Sequence, residues 1–400
     1  MTYEELYDEW INQPYEDSCT EKFEIRDGVA IIPEGTTKIG NRAFEDCSSL
    51  ESVTIPESVT EIGRSAFYRC TSLKNVAIPK SVTEIGFCAF GCCTSLESVT
   101  IPDSVTIIDW RAFEGCTSLK NVIIPDSVTF LGENAFSDCT SLESITISKS
   151  VTLIQHYTFI DCSSLKSVII PESVKEIGIG AFRWCTALES ITLPESVTRI
   201  GYYDFMGCTS LKNITIPESV TRIEECAFKG CTSLESITIS KSVTLIQHYT
   251  FNDCSSLKSI TIPDSVKEIG TGTFRWCAAL ESVTIPESVT RIGCYAFMGC
   301  TSLKNITIPE SVVRIEQNAF KGCTSLKSIT IPESVREIEE YAFEGCTSLT
   351  TVILPVGVRD INLTAFYECP SLSTIYVPAK TTYYYMELLP AKLLDKIVEL

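Results

Sequence analysis

From Phe44 onward, apolar and polar positions recur in a frame that repeats every 23 residues. A cysteine marks each copy, from Cys47 and Cys70 through to Cys369, with Phe three residues before it and Leu three after it in all fifteen copies. Val or Ile follows at the sixth position after the cysteine, an aliphatic residue at the eighth, Val at the twelfth, and Ile or Leu at the fifteenth. Proline stands at the ninth in thirteen copies, Ser148 and Ser240 being the exceptions. The residues Ser52, Val53, Thr54 and Ile55 alternate polar and apolar, the period of a strand with one buried face. Pro56 removes a donor and ends it. Val59–Ile62 is β-branched and predicts a second short strand, closed by Gly63. Ser65–Cys70 has the spacing of one helical or 3-10 turn, with Ala66, Phe67 and Cys70 on one side.

Such a coil cannot bury its apolar side alone, so copies must stack on one another. Parallel rungs lie about 4.8 Å apart, and fifteen of them make a rod or arc roughly 70 Å long. The expected fold class is therefore an α/β solenoid: per rung, a strand of a parallel sheet, a second short strand and a short helical or 3-10 turn. The consensus LxxVxIPxSVTxIGxxAFxxC at 23 residues resembles the BspA-type leucine-rich repeat family over nearly the whole chain. That resemblance implies a leucine-rich repeat solenoid with binding roles such as adhesion to host matrix proteins, without catalysis.

The ends read as caps, which open solenoids need. Residues 1–23 form an N-terminal cap with a helix expected over Tyr3–Asn12, residues 24–378 are the repeat array, and residues 379–400 are a C-terminal cap. Leu389, Leu393 and Ile397 are expected to line a capping helix with Pro390 in its first turn. Within the array, residues 143–234 and 235–326 differ at only 14 of 92 positions, so a four-rung block is duplicated. Similar blocks imply similar surfaces.

Composition narrows the function class. A net charge of −19 opposes nucleic-acid binding, which needs clustered Lys and Arg, and opposes docking on anionic membranes. No stretch approaches the roughly 18 uninterrupted apolar residues of a membrane span. MTYEELYDEWINQPYEDSC has no apolar core of a secretory signal. The sequence as it stands favours the cytoplasm, with the secreted or cell-surface alternative if an export signal has been removed.

Chemistry is sparse. His156 and His248 are duplicates of each other on an outer turn, away from the inward cysteine column, so no Cys–His or Ser–His pair is expected. Cys88, Cys92 and Cys93 sit close together in CAFGCC, but Cys88 is expected to face out while Cys93 faces in, against the convergence zinc requires. Stacked side chains run parallel, whereas a disulfide needs its Cβ vectors turned toward each other. The cysteine column therefore reads as packing, and 20 mostly unpaired thiols suit a reducing compartment. No enzyme activity, metal or cofactor is expected.

The surface columns are repetitive too. The main strand presents Ser, Asn and Thr, with none of the aromatic or Arg anchors that dominate binding energy. At the fourth position charge alternates over twelve rungs, Glu51, Lys74, Glu97 and onward to Lys304. An acidic stripe at the tenth position reads as a solubility device. Variation concentrates at the fourteenth, seventeenth and eighteenth positions. There Ile107, Phe130 and Leu153, with Phe87, Trp110, His156 and Tyr157, are expected to form one apolar and aromatic patch. Those residues are the candidate partner-binding site, for a protein partner or for self-association. Two readings follow: an interaction or adhesion module, or a self-associating scaffold rod.

Overall fold

The computed structural model describes residues 23–400, so the helix expected over Tyr3–Asn12 lies outside the described residues. The chain is a parallel β-solenoid of about 16 turns, one for each of the fifteen frames and a partial first turn. Most rungs contribute a three-residue strand such as Ser98–Thr100 to the main sheet face and a two-residue strand such as Ile107–Ile108 to a second one; the stretch 305–307 is not in strand geometry. Register is one repeat per rung: Asn121 pairs with Ser144 and Ser144 with Ser167. Because the inward columns repeat the same residue type from rung to rung, the core lines up like on like. The first turn opens with an antiparallel hairpin, Ile25–Arg26 against Val29–Ile31, around Asp27 and Gly28 at φ 49 and 76. That Asp-Gly turn leaves only a two-residue strand at the sheet edge, which limits edge-to-edge pairing.

The core is continuous. Phenylalanines from Phe44 to Phe366 stack on their neighbours with ring centroids 5.0–6.0 Å apart, and Phe23 extends the column by one ring. The column cysteines beyond Cys47 are buried. They do more than fill space. Cys70 donates its thiol to the carbonyl of Phe44 at 3.1 Å, and the same bond joins Cys93 to Phe67, Cys185 to Phe159 and Cys369 to Phe343. A small apolar residue with one weak donor fits that slot.

The expected helical turn does not form. The chain instead makes two tight turns flanked by left-handed residues, Ser65 at φ 51 and Arg69 at φ 59 in one rung, with equivalents along the array. The physical reason lies in the amides. Ala66, Tyr68 and Cys70 donate within the rung, to Gly63, Ser65 and Phe67, whereas Ser65, Phe67 and Arg69 donate to Phe87, Ala89 and Gly91 of the next. A helix would consume all of these amides inside its own rung. The left-handed kinks swing alternate ones across the stack. Large left-handed residues are accommodated by a glycine one rung later: a Cβ on Gly207 would lie 2.3 Å from the indole of Trp184, and one on Gly272 2.5 Å from Tyr249.

The main sheet is unbroken from Ile25 to Thr192 and then splits into shorter sheets. The splits follow a two-rung alternation. Lys212, Lys258 and Lys304 reach the glutamate carbonyl one rung back at 3.5, 3.4 and 3.4 Å, whereas Glu189, Glu235 and Glu281 reach the lysine carbonyl at 2.9 Å. Shallow clefts open at looser junctions, one of about 590 Å³ between Ser236–Ile239 and Ser259–Ile262.

The C-terminal cap differs from expectation. A short helix, Thr382–Leu388, stops before Pro390, which precedes a 3-10 helix at Ala391–Lys396. Ile397–Glu399 then adds a last parallel strand to Thr374–Val377. Leu389 and Leu393 are buried as expected, but Ile397 begins a strand. Pro390 cannot continue a helix, and the open sheet offers the remaining residues a ladder. Tyr385 seals the end, fully buried with its hydroxyl donating to the carbonyl of Pro355.

Candidate functional site

The recurrent polar columns are occupied in holding rungs together. Ser104, Ser173 and Ser219 donate to the valine carbonyl of the preceding rung at 2.6–2.7 Å. Thr209 donates to Thr186 at 3.2 Å, and Thr324 to Thr301 at 3.2 Å. The acidic stripe is employed too: Glu57, Asp126 and Glu287 accept the backbone amides of Lys80, Lys149 and Glu310 at 3.0–3.1 Å. In the charge ladder five of the six lysines pair with the glutamate one rung before, as in Lys74–Glu51 at 2.9 Å and Lys166–Glu143 at 3.0 Å; Lys212 does not. These exposed pairs bridge looser junctions, and solvent screening leaves each a small contribution to stability.

The departures from the consensus lie in the variable columns on the turn edge. Ile107 and Phe130 are direct neighbours in the second sheet, and Leu153 follows one rung on, all three half-buried. Trp110 is 40% exposed, and its ring leans on Gly132, where a Cβ would lie 2.6 Å from Cδ1. His156 is half-buried. Its Nδ1 accepts the amide of Ile179 at 2.8 Å, so the neutral ring carries its proton on Nε2, which lies 3.9 Å from Glu133. Burial pushes the Glu133 carboxyl upward, and the His156 ring opposes that shift. Tyr157, at φ 56, lies over Gly180. These six residues lie on the turn edge of three successive rungs. Phe87 does not join them at the surface: it is 6% exposed, with the Arg64 guanidinium 4.7 Å from its ring. The arginine one rung back covers it, which sequence spacing does not reveal.

Two groups escaped the sequence reading. Trp184 and Trp276, one per duplicated block, are exposed beside Arg183 and Arg275. Their signal was present: an Arg-Trp pair in a column otherwise dominated by Gly and Asp. The second is Asp204, fully buried in the column that elsewhere holds Ala or Thr. Burial drives its carboxyl well above the usual range, opposed by the Gly201 amide.

Among the described residues no cluster of three or more His, Cys, Asp or Glu has metal-binding geometry, and no helix is long and apolar enough to cross a membrane. Burial raises the column thiols, Cys70 to about 12 and others further, so they are poor nucleophiles. Two clefts on the main sheet are lined by Ser, Thr and aliphatic residues together with Lys241, Asp264, Glu195 and Asn213, and neither is lined by His or Cys.

Comparison with known proteins agrees with this architecture. The family described as BspA type Leucine rich repeat region matches residues 29–139, 84–203, 175–280 and 267–388. A leucine-rich repeat protein from Bacteroides ovatus is 32% identical, with 93% of this chain and 92% of that one covered and a TM-score of 0.75. A leucine rich cell surface protein from Faecalibacterium prausnitzii is 31% identical over 87% of this chain and 86% of its own, with a TM-score of 0.44. A leucine-rich repeat protein from Eubacterium ventriosum is 24% identical over 86% and 90%, with a TM-score of 0.49. No curated protein matches. The stacked 23-residue frame, the family match over residues 29–388 and the likeness to the Bacteroides ovatus protein make the chain a member of the BspA-type leucine-rich repeat family.

Proposed function

We propose that this protein is a non-enzymatic binding module that captures a protein partner, in solution or as an adhesin, through the turn edge around Trp110 and Phe130. One observation carries the reading. The repeated serines, threonines and acidic residues described above serve their neighbours' backbone identically at rung after rung, so what distinguishes one stretch of this surface from another is its departures from the consensus. Ile107, Phe130, Leu153 and Trp110 are the densest such departure, an aromatic and aliphatic strip of the kind that dominates interface energetics.

The eighteen described cysteines from Cys70 onward are in no disulfide, which supports action where thiols stay reduced. The double variant Trp110→Ala with Phe130→Ser is expected to keep the fold and lose at least tenfold in partner capture, read by affinity capture from the source organism. Unchanged capture overturns the assignment of this edge. Sedimentation velocity over a hundredfold range of concentration separates the alternative: a self-associating rod grows with concentration and the double variant does not.

A further inference from the structure

We propose that the duplicated block carries a paired binding site for a neutral polysaccharide, with one sugar ring stacking on Trp184 and another on Trp276. The inference does not rest on the Trp110 edge, because it concerns other residues.

Backbone conformation comes first. Trp184 and Trp276 occupy the column immediately before the repeat cysteine, and both are left-handed, at φ 61 and 63. Ten of the fifteen copies hold Gly or Asp there, the residues that tolerate this conformation. The left-handed turn belongs to the column in every rung, so what sets these two copies apart is the indole itself, placed where most copies carry a small side chain or none. Both tryptophans remain exposed, at 37% and 46%.

Each indole is then held in place. One side of the Trp184 ring leans on Gly207 and Trp276 leans on Gly299, where a Cβ would come within 2.3 and 2.5 Å. The Arg183 guanidinium lies 5.9 Å from the Trp184 ring and 5.6 Å from Tyr203 on the next rung; Arg275 lies 5.9 Å from Trp276 and 5.7 Å from Tyr295. Neither arginine forms an ion pair among the described residues, and the Nε of each is buried without a hydrogen-bond partner. In a chain of net charge −19, two unpaired arginines at matching positions are conspicuous. Asp161 stands one rung below Trp184 in the same column and feels the Arg183 charge; Asp253 holds the matching place below Trp276.

The chemistry selects the occupant. A pyranose ring has a flat C–H face and a rim of hydroxyls. The indole supplies a flat apolar face, the guanidinium supplies donors and the carboxylate supplies acceptors at its edge. The acidic surroundings repel a polyanion, and the central arginine repels a polycation. Four rungs separate the platforms, roughly 19 Å at strand spacing. Only an extended repeating chain engages both, and bivalent engagement raises avidity by about 10²–10⁴.

The test uses glycine substitutions, because glycine fills this column in six other copies and keeps the fold. Wild type, Trp184→Gly, Trp276→Gly and the double variant are run in affinity electrophoresis. The gels contain soluble β-glucan, xylan, mannan or galactan, with heparin and casein as controls. The expected result is retardation of wild type by at least one neutral polysaccharide. Each single variant should weaken it by about 10–100-fold, the double variant should abolish it, and Trp110→Ala with Phe130→Ser should leave it unchanged. Four results overturn the proposal: wild type unretarded by every neutral polysaccharide; retardation by heparin or casein alone; a double variant retarded like wild type; or loss of retardation in the Trp110/Phe130 variant.

Discussion

Asp204→Ala should make this protein more stable, and the gain should grow with pH. Asp204 is fully buried where the matching residue of the second block is Ala296, so the column accepts alanine. Its Oδ2 accepts the amide of Gly201 at 2.6 Å, while Oδ1 has no partner. The amides of Gly180 and Ala181 lie nearby but already donate to Tyr202 and Gly178. What the column does supply is an acceptor: Thr158, Thr250 and Thr273 each donate to the carbonyl three residues earlier at 2.8 Å. An ionised carboxylate cannot donate, so burial pushes the Asp204 pKa well above its unfolded value of about 3.9. A group with a raised folded pKa holds its stabilising contribution below the unfolded pKa. It loses that contribution as pH climbs through the folded one. An unsatisfied buried polar atom costs about 1–3 kcal/mol. With an unfolding entropy of about 2.1 cal/mol/K per residue, that is roughly 1–4 °C if all 400 residues unfold together, and roughly 5–15 °C if a 92-residue block unfolds alone. Differential scanning calorimetry at pH 4, 6 and 8 measures it. Asp204→Thr should behave like Asp204→Ala. A variant less stable than wild type at every pH, or a gain that ignores pH, refutes the reasoning.

Two further outcomes follow from the turn edge and the core. Gly207→Ala should destabilise by more than the roughly 1–2 kcal/mol of a left-handed alanine, because φ is 76 and the new Cβ meets the Trp184 indole. In a denaturation double-mutant cycle, Trp184→Gly should recover the excess; additive costs would show that the ring does not press on Gly207. Under native conditions a thiol reagent should modify Cys92 and Cys294 ahead of the buried column. Cys116, Cys139 and their siblings should react only on unfolding, since burial both hides them and raises their pKa. Rapid native labelling of those residues, read by peptide mass spectrometry, would contradict the packing.

The repeat frame was legible because stacking forces the same residue type into the same place at every rung. Phe, Cys, Leu and Val could be assigned inward from spacing alone, and the two strands followed from Ser52–Ile55 and Val59–Ile62. The helical turn failed for a reason spacing cannot show. Ala66, Phe67 and Cys70 lie on one side in either geometry, and only the hydrogen-bond partners distinguish a helix from paired turns that share amides with the next rung. Phe87 failed similarly, since its exposure depends on where Arg64 of the rung before extends.

Sequence alone, then, determined the solenoid, its rung length and its inward columns, since a period of 23 residues admits one way to bury the apolar side. Tertiary structure decided what each repeated polar group bonds to, which aromatic residues remain open to solvent, and where the main sheet loosens. Those properties arise between rungs, from contacts 22, 23 and 26 residues apart, as when Ser104 meets Val82, Lys74 meets Glu51 and Cys70 meets Phe44. A local pattern marks such residues as repeated; only the stacked neighbour gives them a partner.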